Sequence, residues 1–173
     1  MRAALLTLTA SLLLFLSNPA ECRAELSEKE ITAIFLSNVL GYVEWTGAST
    51  DAYTICMVAD DDMKNILRNH LAARKPGSRI SVRSLDTSRN TSGCSAVYID
   101  DISNPKGGSS IIKNAMEHQV LTIGNGAGFI NDGGLIQIKF EKRRLVLSLN
   151  RTASQDYRIN FNPRLVSLAR FVR

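Results

Sequence analysis

Short, almost continuously apolar runs recur along the chain, and segments of helical periodicity separate them. Residues 53–59, 95–99 and 120–123 form such runs, and residues 79–85 alternate apolar with polar side chains as a strand does. Strands that alternate with helices pair in parallel and carry helices on both faces of the sheet. This pattern excludes all-helical and all-β folds.

Apolar residues at helical spacing predict the helices between these strands. Ser27 and Glu30 form a capping box that begins the first of them. In the last, Pro163 suits the first turn, and a stripe of apolar residues follows on one face. The predicted helices cover residues 27 to about 43, 60–73, 109–117 and 163–172, and the stripe of the last consists of Leu165, Leu168, Ala169 and Val172.

The pattern changes after Gly133 and Gly134, where two segments alternate around the charged turn at residues 141–144. Such alternation is typical of an antiparallel hairpin. We therefore predict an α/β fold: a single three-layer domain, with a mainly parallel sheet flanked by helices and an antiparallel C-terminal hairpin.

The first 24 residues have the pattern of a secretory signal peptide. Met1 and Arg2 provide a short basic start, an apolar segment follows to Leu16, and Ala24 ends a plausible cleavage site. Cleavage after Ala20 and an uncleaved membrane anchor are the alternatives. We predict residues 1–24 as the signal peptide, residues 25–173 as the domain, and a periplasmic location for the exported chain.

The net charge of +5 on 173 residues is mild, and the basic residues are scattered. Because export also removes the chain from cytosolic nucleic acid, the charge favours solubility or an acidic protein partner over nucleic acid. The densest basic cluster is most simply a solvated hairpin tip, with a phosphate or lipid headgroup site as the alternative. It consists of Lys139, Lys142, Arg143 and Arg144.

The residues that carry chemistry form no catalytic or metal-binding motif in the sequence. His70 and His118 are the only histidines, and neither an HExxH nor a G-x-S-x-G motif occurs. The glycines of residues 124–128 predict a tight turn, and Asp60 to Asp62 predict a helix cap. We expect a protein that is not an enzyme and that uses no metal and no cofactor.

Cys56 and Cys94 are the only thiols that remain once Cys22 is removed with the signal peptide. In an oxidising compartment these two residues predict a disulfide. Two buried, reduced cysteines are the alternative.

The succession of segments along residues 25–173 resembles the YfiR-like family of bacterial periplasmic proteins. The resemblance implies a regulator without catalytic activity, which represses a membrane diguanylate cyclase and is itself relieved by an outer-membrane lipoprotein. Relatives also occur with other membrane sensors, such as sensor kinases. A further cysteine pair of the family has no counterpart at residues 135–150. The resemblance rests on Tyr42-Val43-Glu44-Trp45, Ile55-Cys56-Met57-Val58, the segments 94–99, 120–124 and 129–136, Asn150, and Leu165-Val166-Ser167-Leu168-Ala169.

Two classes of function follow, and they differ in the surface that each requires. A regulator needs an apolar patch, which we predict at the C-terminal segment with interleaved arginines as its polar rim. The candidate patch residues are Phe161, Leu165, Leu168 and Phe171, with Tyr42 and Trp45 as a second surface.

Alternatively, the C-terminal apolar residues all pack on the sheet.

A periplasmic small-ligand-binding protein that serves a transporter or sensor would instead use the carboxyl ends of the strands, near Asp60, Asp100 and Asn125. A homodimer is left open.

Overall fold

The structure is a computed structural model that describes residues 25–46, 52–74, 79–85, 90–100 and 108–173. The predicted signal peptide lies outside the described residues. Five helices and one 3₁₀ turn, Leu40–Tyr42, occur in these ranges. The helices are α1 Glu28–Val39, α2 Asp61–Ala72, α3 Gly108–Glu117, α4 Arg151–Asp156 and α5 Pro163–Leu168. The strands are β1 Val43–Trp45, β2 Tyr53–Val58, β3 Ile80–Ser84, β4 Ala96–Ile99, β5 Leu121–Gly124, β6 Ile136–Glu141, β7 Arg144–Leu149, β8 Ile159–Phe161 and β9 Ala169–Val172.

Seven strands form one mixed sheet in the order β3-β2-β4-β5-β6-β7-β9. The pairs from β3 to β6 are parallel, β6 and β7 form the antiparallel hairpin, and β9 returns parallel to β7. Every residue of β4 and of β5 is buried, as their apolar runs predict. The predicted α/β fold, with a mainly parallel sheet flanked by helices and a C-terminal hairpin, is confirmed.

Polar side chains at the helix starts explain where α1 and α2 begin. The Ser27 hydroxyl accepts from the backbone N–H of Glu30 at 3.2 Å, while a Glu30 carboxylate oxygen accepts from the Ser27 N–H at 2.7 Å. Asp60 accepts from the Met63 N–H at 2.7 Å. These bonds satisfy N–H groups that the first helical turn leaves without a partner.

The end of the first helix differs from the prediction, which extended it to about Val43. The α-helix ends at Val39, and Val43 to Trp45 instead pair with β8 in a separate two-stranded antiparallel sheet. Val43 lies opposite Phe161 and Trp45 opposite Ile159. A partner strand more than 110 residues away in sequence overrides the local helical periodicity.

The last predicted helix is correct only in its first half. Asn162 caps α5 by accepting from the Arg164 N–H at 2.9 Å, and Pro163 occupies the first turn. After Leu168, however, residues 169–172 form β9 beside β7. Because β7 would otherwise leave unpaired N–H and C=O groups along one edge, pairing favours the extended conformation here.

None of the described helices combines the length and the apolar character needed to cross a membrane.

Candidate partner-binding surface

The C-terminal segment carries most of the exposed apolar side chains in the described part of the chain. Five large hydrophobic side chains are exposed among the described residues, and three of them lie in this segment: Leu168 at 68%, Phe171 at 53% and Val172 at 37%. The other two are Leu26, which precedes α1, and Met116 in α3. A group of exposed apolar residues within five positions indicates an interaction surface more than scattered single residues do.

The side chains predicted for the C-terminal patch divide between core and surface. Leu165 is only 2% exposed and belongs to the hydrophobic core, so it cannot be part of a surface patch without unfolding. Phe161 in β8 is half-buried against the core. Leu168 and Phe171 remain exposed. Leu165 therefore anchors α5, and the exposed apolar residues of the segment are Leu168, Phe171 and Val172, which we call the C-terminal apolar cluster. Phe171 and Val172 are consecutive residues of β9 and project from opposite faces of the strand.

A bulge shapes the edge on which this cluster lies. Ala169 pairs with Leu147 and Phe171 with Ser148, so Arg170 is the extra residue in β9. Its guanidinium forms an ion pair with the Glu141 carboxylate of β6. A bulge kinks a strand and interrupts its ladder, which makes this edge a poor template for an additional strand.

Backbone hydrogen bonds hold the end of β9 in place. The N–H of Arg173 donates to the Leu149 carbonyl at 2.9 Å, and the Arg173 carbonyl accepts from the N–H groups of Arg151 and Thr152. The Arg173 side chain donates to Asn131 Oδ1 at 3.1 Å. Phe171 and Val172 of the cluster therefore lie on an ordered strand, and Leu168 ends the helix just before it.

Tyr157, which follows α4 in the sequence, is buried. Its hydroxyl lies 3.1 Å from the carbonyl oxygen of Ile112 and 3.2 Å from that of Gly133. Burial raises the pKa of Tyr157 to about 12 and keeps the phenol neutral. These contacts tie the C-terminal elements to α3.

The second predicted surface, Tyr42 and Trp45, is half-buried and packs against the core. Trp45 Nε1 donates to the Gln119 carbonyl at 3.2 Å, and its ring lies 5.7 Å from that of Tyr53. The Tyr42 carbonyl accepts from the Asn162 N–H at 2.9 Å. Both residues therefore support the two-stranded sheet that leads into α5.

The residues predicted for a ligand crevice are already engaged with neighbouring side chains. The Lys29 ammonium contacts the Asp60 carboxylate at 2.9 Å, and this hydrogen bond, together with that from the Met63 N–H, lowers the pKa of Asp60. Asn125 Nδ2 donates to Asp100 Oδ1 at 3.2 Å. Asp60 thus serves as the predicted helix cap.

A disulfide joins Cys56 in β2 to Cys94, two residues before β4, with 5.8 Å between the Cα atoms. Arg83 of β3 lies against both sulfurs, with Nε 3.3 Å from Cys56 Sγ and Nη2 2.9 Å from Cys94 Sγ. The same Nη2 donates to the Ser92 carbonyl at 2.8 Å. The sequence contains no signal for this arginine contact, because it depends on the parallel register of β2 and β3.

Among the described residues, histidine, cysteine, aspartate and glutamate form no group of three or more that could hold a metal ion. His70 is half-buried in α2, and His118 is exposed directly after the end of α3.

Solved structures share this architecture at low sequence identity. A conserved domain protein from Vibrio cholerae O1 biovar El Tor superposes with a TM-score of 0.62 at 13% identity, covering 86% of this chain and 61% of that one. An ABC domain in complex with L-Trp from Streptococcus pneumoniae gives 0.58 at 11% identity, with coverages of 84% and 60%. At these identities only the fold is shared, and the chain spans about three-fifths of each structure.

No curated protein matches the sequence. A family model does match it, over residues 29–170. This range runs from the second residue of α1 to the second residue of β9 and includes every element between them. The resemblance inferred from the sequence is therefore confirmed, and the chain belongs to the YfiR/HmsC-like family.

Proposed function

We propose that this protein is a periplasmic regulator that represses or modulates a membrane-bound signalling enzyme, most simply a diguanylate cyclase, by direct protein contact. Membership of the YfiR/HmsC-like family supports a regulator of this general kind. Relief of repression by an outer-membrane lipoprotein is part of the same proposal. The observation that carries it is the C-terminal apolar cluster.

The composition of this cluster fits a protein interface. Leu168 and Phe171 are 68% and 53% exposed, so burial of the remaining surface would contribute about 1–2 kcal/mol each. Exposed Arg164, Arg170 and Arg173 are interleaved with them along the chain and supply charged side chains for a rim. Apolar anchors inside a polar rim are the arrangement in which a few residues supply most of the binding energy.

The contact is expected to use side chains rather than strand addition. β9 has four residues, contains a bulge and carries Arg170 at that bulge. Each of these features blunts an edge strand against pairing with another chain. The same features disfavour a homodimer built by joining two β9 edges.

The direct test replaces Leu168 or Phe171 with glutamate and measures cyclic di-GMP in cells that contain the cognate cyclase. Loss of an apolar anchor should weaken the contact about tenfold or more and raise cyclic di-GMP. Met116→Glu is the matched control, because Met116 is an exposed apolar residue on α3.

Binding of the purified protein to the periplasmic part of the partner should change in parallel. The regulatory proposal fails if deletion of the gene leaves cyclic di-GMP and the output of adjacent membrane sensors unchanged. If deletion has an effect but both glutamate variants repress normally, the interface lies elsewhere.

A further inference from the structure

The turn between β6 and β7 places two basic residues in an unfavourable backbone conformation. Lys142 has a φ of 47° and Arg143 a φ of 63°, so both lie in the left-handed region. Two-residue hairpin turns of this kind strongly prefer Asn-Gly, because other side chains crowd the backbone there. The hairpin therefore presents its basic side chains despite a conformational penalty that Asn-Gly would avoid.

The strand register places further basic residues on the same face as part of the apolar cluster. Lys139 lies opposite Val146, and Ser148 lies opposite Phe171. Because alternate residues of a strand share a face, Lys139, Arg144, Val146 and Phe171 project from one side of the sheet. Of these, Lys139, Arg144 and Phe171 are exposed.

A groove of about 590 Å³ joins the hairpin to the C-terminal segment. Lys142, Arg144 and Arg170 provide positive charge along it and outnumber the single carboxylate, Glu141. Val146 and Leu168 provide apolar surface. Basic and apolar side chains thus lie next to one another over a continuous surface that spans three strands and the end of α5.

The acidic neighbours of this surface compensate its charge only in part. Arg143 pairs with Glu25 at 2.8 Å, and Arg170 pairs with Glu141, but all four side chains are at least half exposed. Exposed pairs of this kind contribute little to stability and are screened by salt. Within the described ranges, Lys139, Lys142 and Arg144 take part in no ion pair.

We infer that this face is a docking surface for a membrane that contains anionic phospholipids. Lysine and arginine side chains near such a surface gain from its negative potential, while Phe171 and Leu168 can enter the headgroup boundary. The basic groups are spread along a face, so they match a plane of many phosphates better than a single phosphate ion. This inference goes beyond the proposed function and requires no protein partner.

The test uses the exported protein, purified from the periplasm, and its sedimentation with vesicles. Vesicles of phosphatidylcholine with about 30% phosphatidylglycerol should bind the protein, whereas pure phosphatidylcholine vesicles should not, because the attraction is electrostatic. Salt at about 0.5 M should abolish most of this binding by screening.

The informative variant is Lys142→Asn combined with Arg143→Gly. It removes two charges and installs the turn residues that the backbone prefers, so the hairpin should be at least as stable as before. Binding to the anionic vesicles should fall about tenfold or more. The control, Arg68→Gln with Lys113→Gln, removes two exposed charges from α2 and α3 and should bind within about twofold of the unmodified protein.

Equal losses in the hairpin variant and the control would show that net charge alone is responsible and would overturn the assignment. Absence of binding to anionic vesicles would overturn it as well. Neither outcome affects the proposed function, because partner binding is measured separately with the soluble periplasmic part of the partner. Conversely, if deletion of the gene leaves cyclic di-GMP unchanged, the regulatory proposal fails. Binding of the protein to anionic vesicles would still support the membrane-docking surface in that case.

Discussion

The two edges of the seven-stranded sheet, β3 and β9, are built in different ways. At the β3 edge, Ile80 and Val82 are half-buried, and Arg83 lies opposite Cys56 of β2 and contacts both sulfurs of the Cys56–Cys94 disulfide. At the β9 edge, Leu168, Phe171 and Val172 are exposed. The β3 edge is held by an arginine that contacts a neighbouring disulfide, whereas the β9 edge offers apolar side chains to solvent.

The β3 edge therefore contributes mainly to stability, and the β9 edge provides accessible apolar surface. The disulfide restrains a segment that includes α2 and β3, whose connections to neighbouring strands cover residues outside the described ranges. The β9 edge depends instead on Leu165 below it and on the backbone bonds of Arg173. Substitutions at the first edge should therefore change folding, and substitutions at the exposed cluster should change binding.

The largest effect is expected from removal of the disulfide. Replacing Cys56 and Cys94 with alanine should lower the free energy of unfolding by about 4 kcal/mol, because the bridge closes a long loop in the unfolded chain. Urea unfolding of the oxidised protein and the double variant measures this difference. A change below about 1 kcal/mol would mean that the β3 edge is stable without its bridge.

Alkylation of the denatured protein tests the pairing itself, since a bonded pair leaves neither cysteine available to the reagent. Two reactive thiols in protein from the periplasm would contradict the disulfide.

The next effect concerns Leu165, the buried anchor below β9. Leu165→Ala should destabilise the protein by about 3 kcal/mol, because it removes a buried side chain and leaves a cavity. Thermal unfolding measures the loss. If Leu165→Ala leaves stability unchanged, the core does not hold α5 in place. The conclusion that Leu165 anchors the segment that carries the exposed cluster would then be wrong.

A smaller effect is expected for Arg83→Gln. Arg83 is exposed, so losing its contacts with the two sulfurs and with the Ser92 carbonyl should lower the free energy of unfolding by about 1 kcal/mol. Arg68→Gln, on the exposed face of α2, is the control. A loss comparable with that of the disulfide variant would show that the arginine, rather than the bridge, closes this edge.

The smallest effect on stability is expected for Leu168→Ser and Phe171→Ser. Both side chains are more than half exposed, so each substitution should change the free energy of unfolding by about 0.5 kcal/mol or less. Binding to the membrane partner should nevertheless weaken. Destabilisation as large as that of Leu165→Ala would place these side chains in the core and erase the contrast between the two edges.

Local sequence patterns were sufficient for much of the fold. The capping box of Ser27 and Glu30 begins α1, the apolar runs identify the buried strands β2, β4 and β5, and the alternation on both sides of residues 142–143 predicts the hairpin. Each of these signals depends on residues a few positions apart, which is why they can be interpreted without a structure.

The candidate surface was predictable only in part. Its position in the C-terminal segment follows from the apolar and basic composition of that segment. The separation of buried Leu165 from exposed Leu168 does not, because the predicted helix placed both on one stripe.

Long-range pairing decided the remaining features. Residues 169–172 extend as β9 because β7 has an open edge beside them, and residues 43–45 extend because β8 pairs with them. Arg83 meets the two sulfurs because β3 lies next to β2. Local sequence sets the intrinsic preference of each segment, but the hydrogen-bonding groups of a distant strand become available only once the chain has folded.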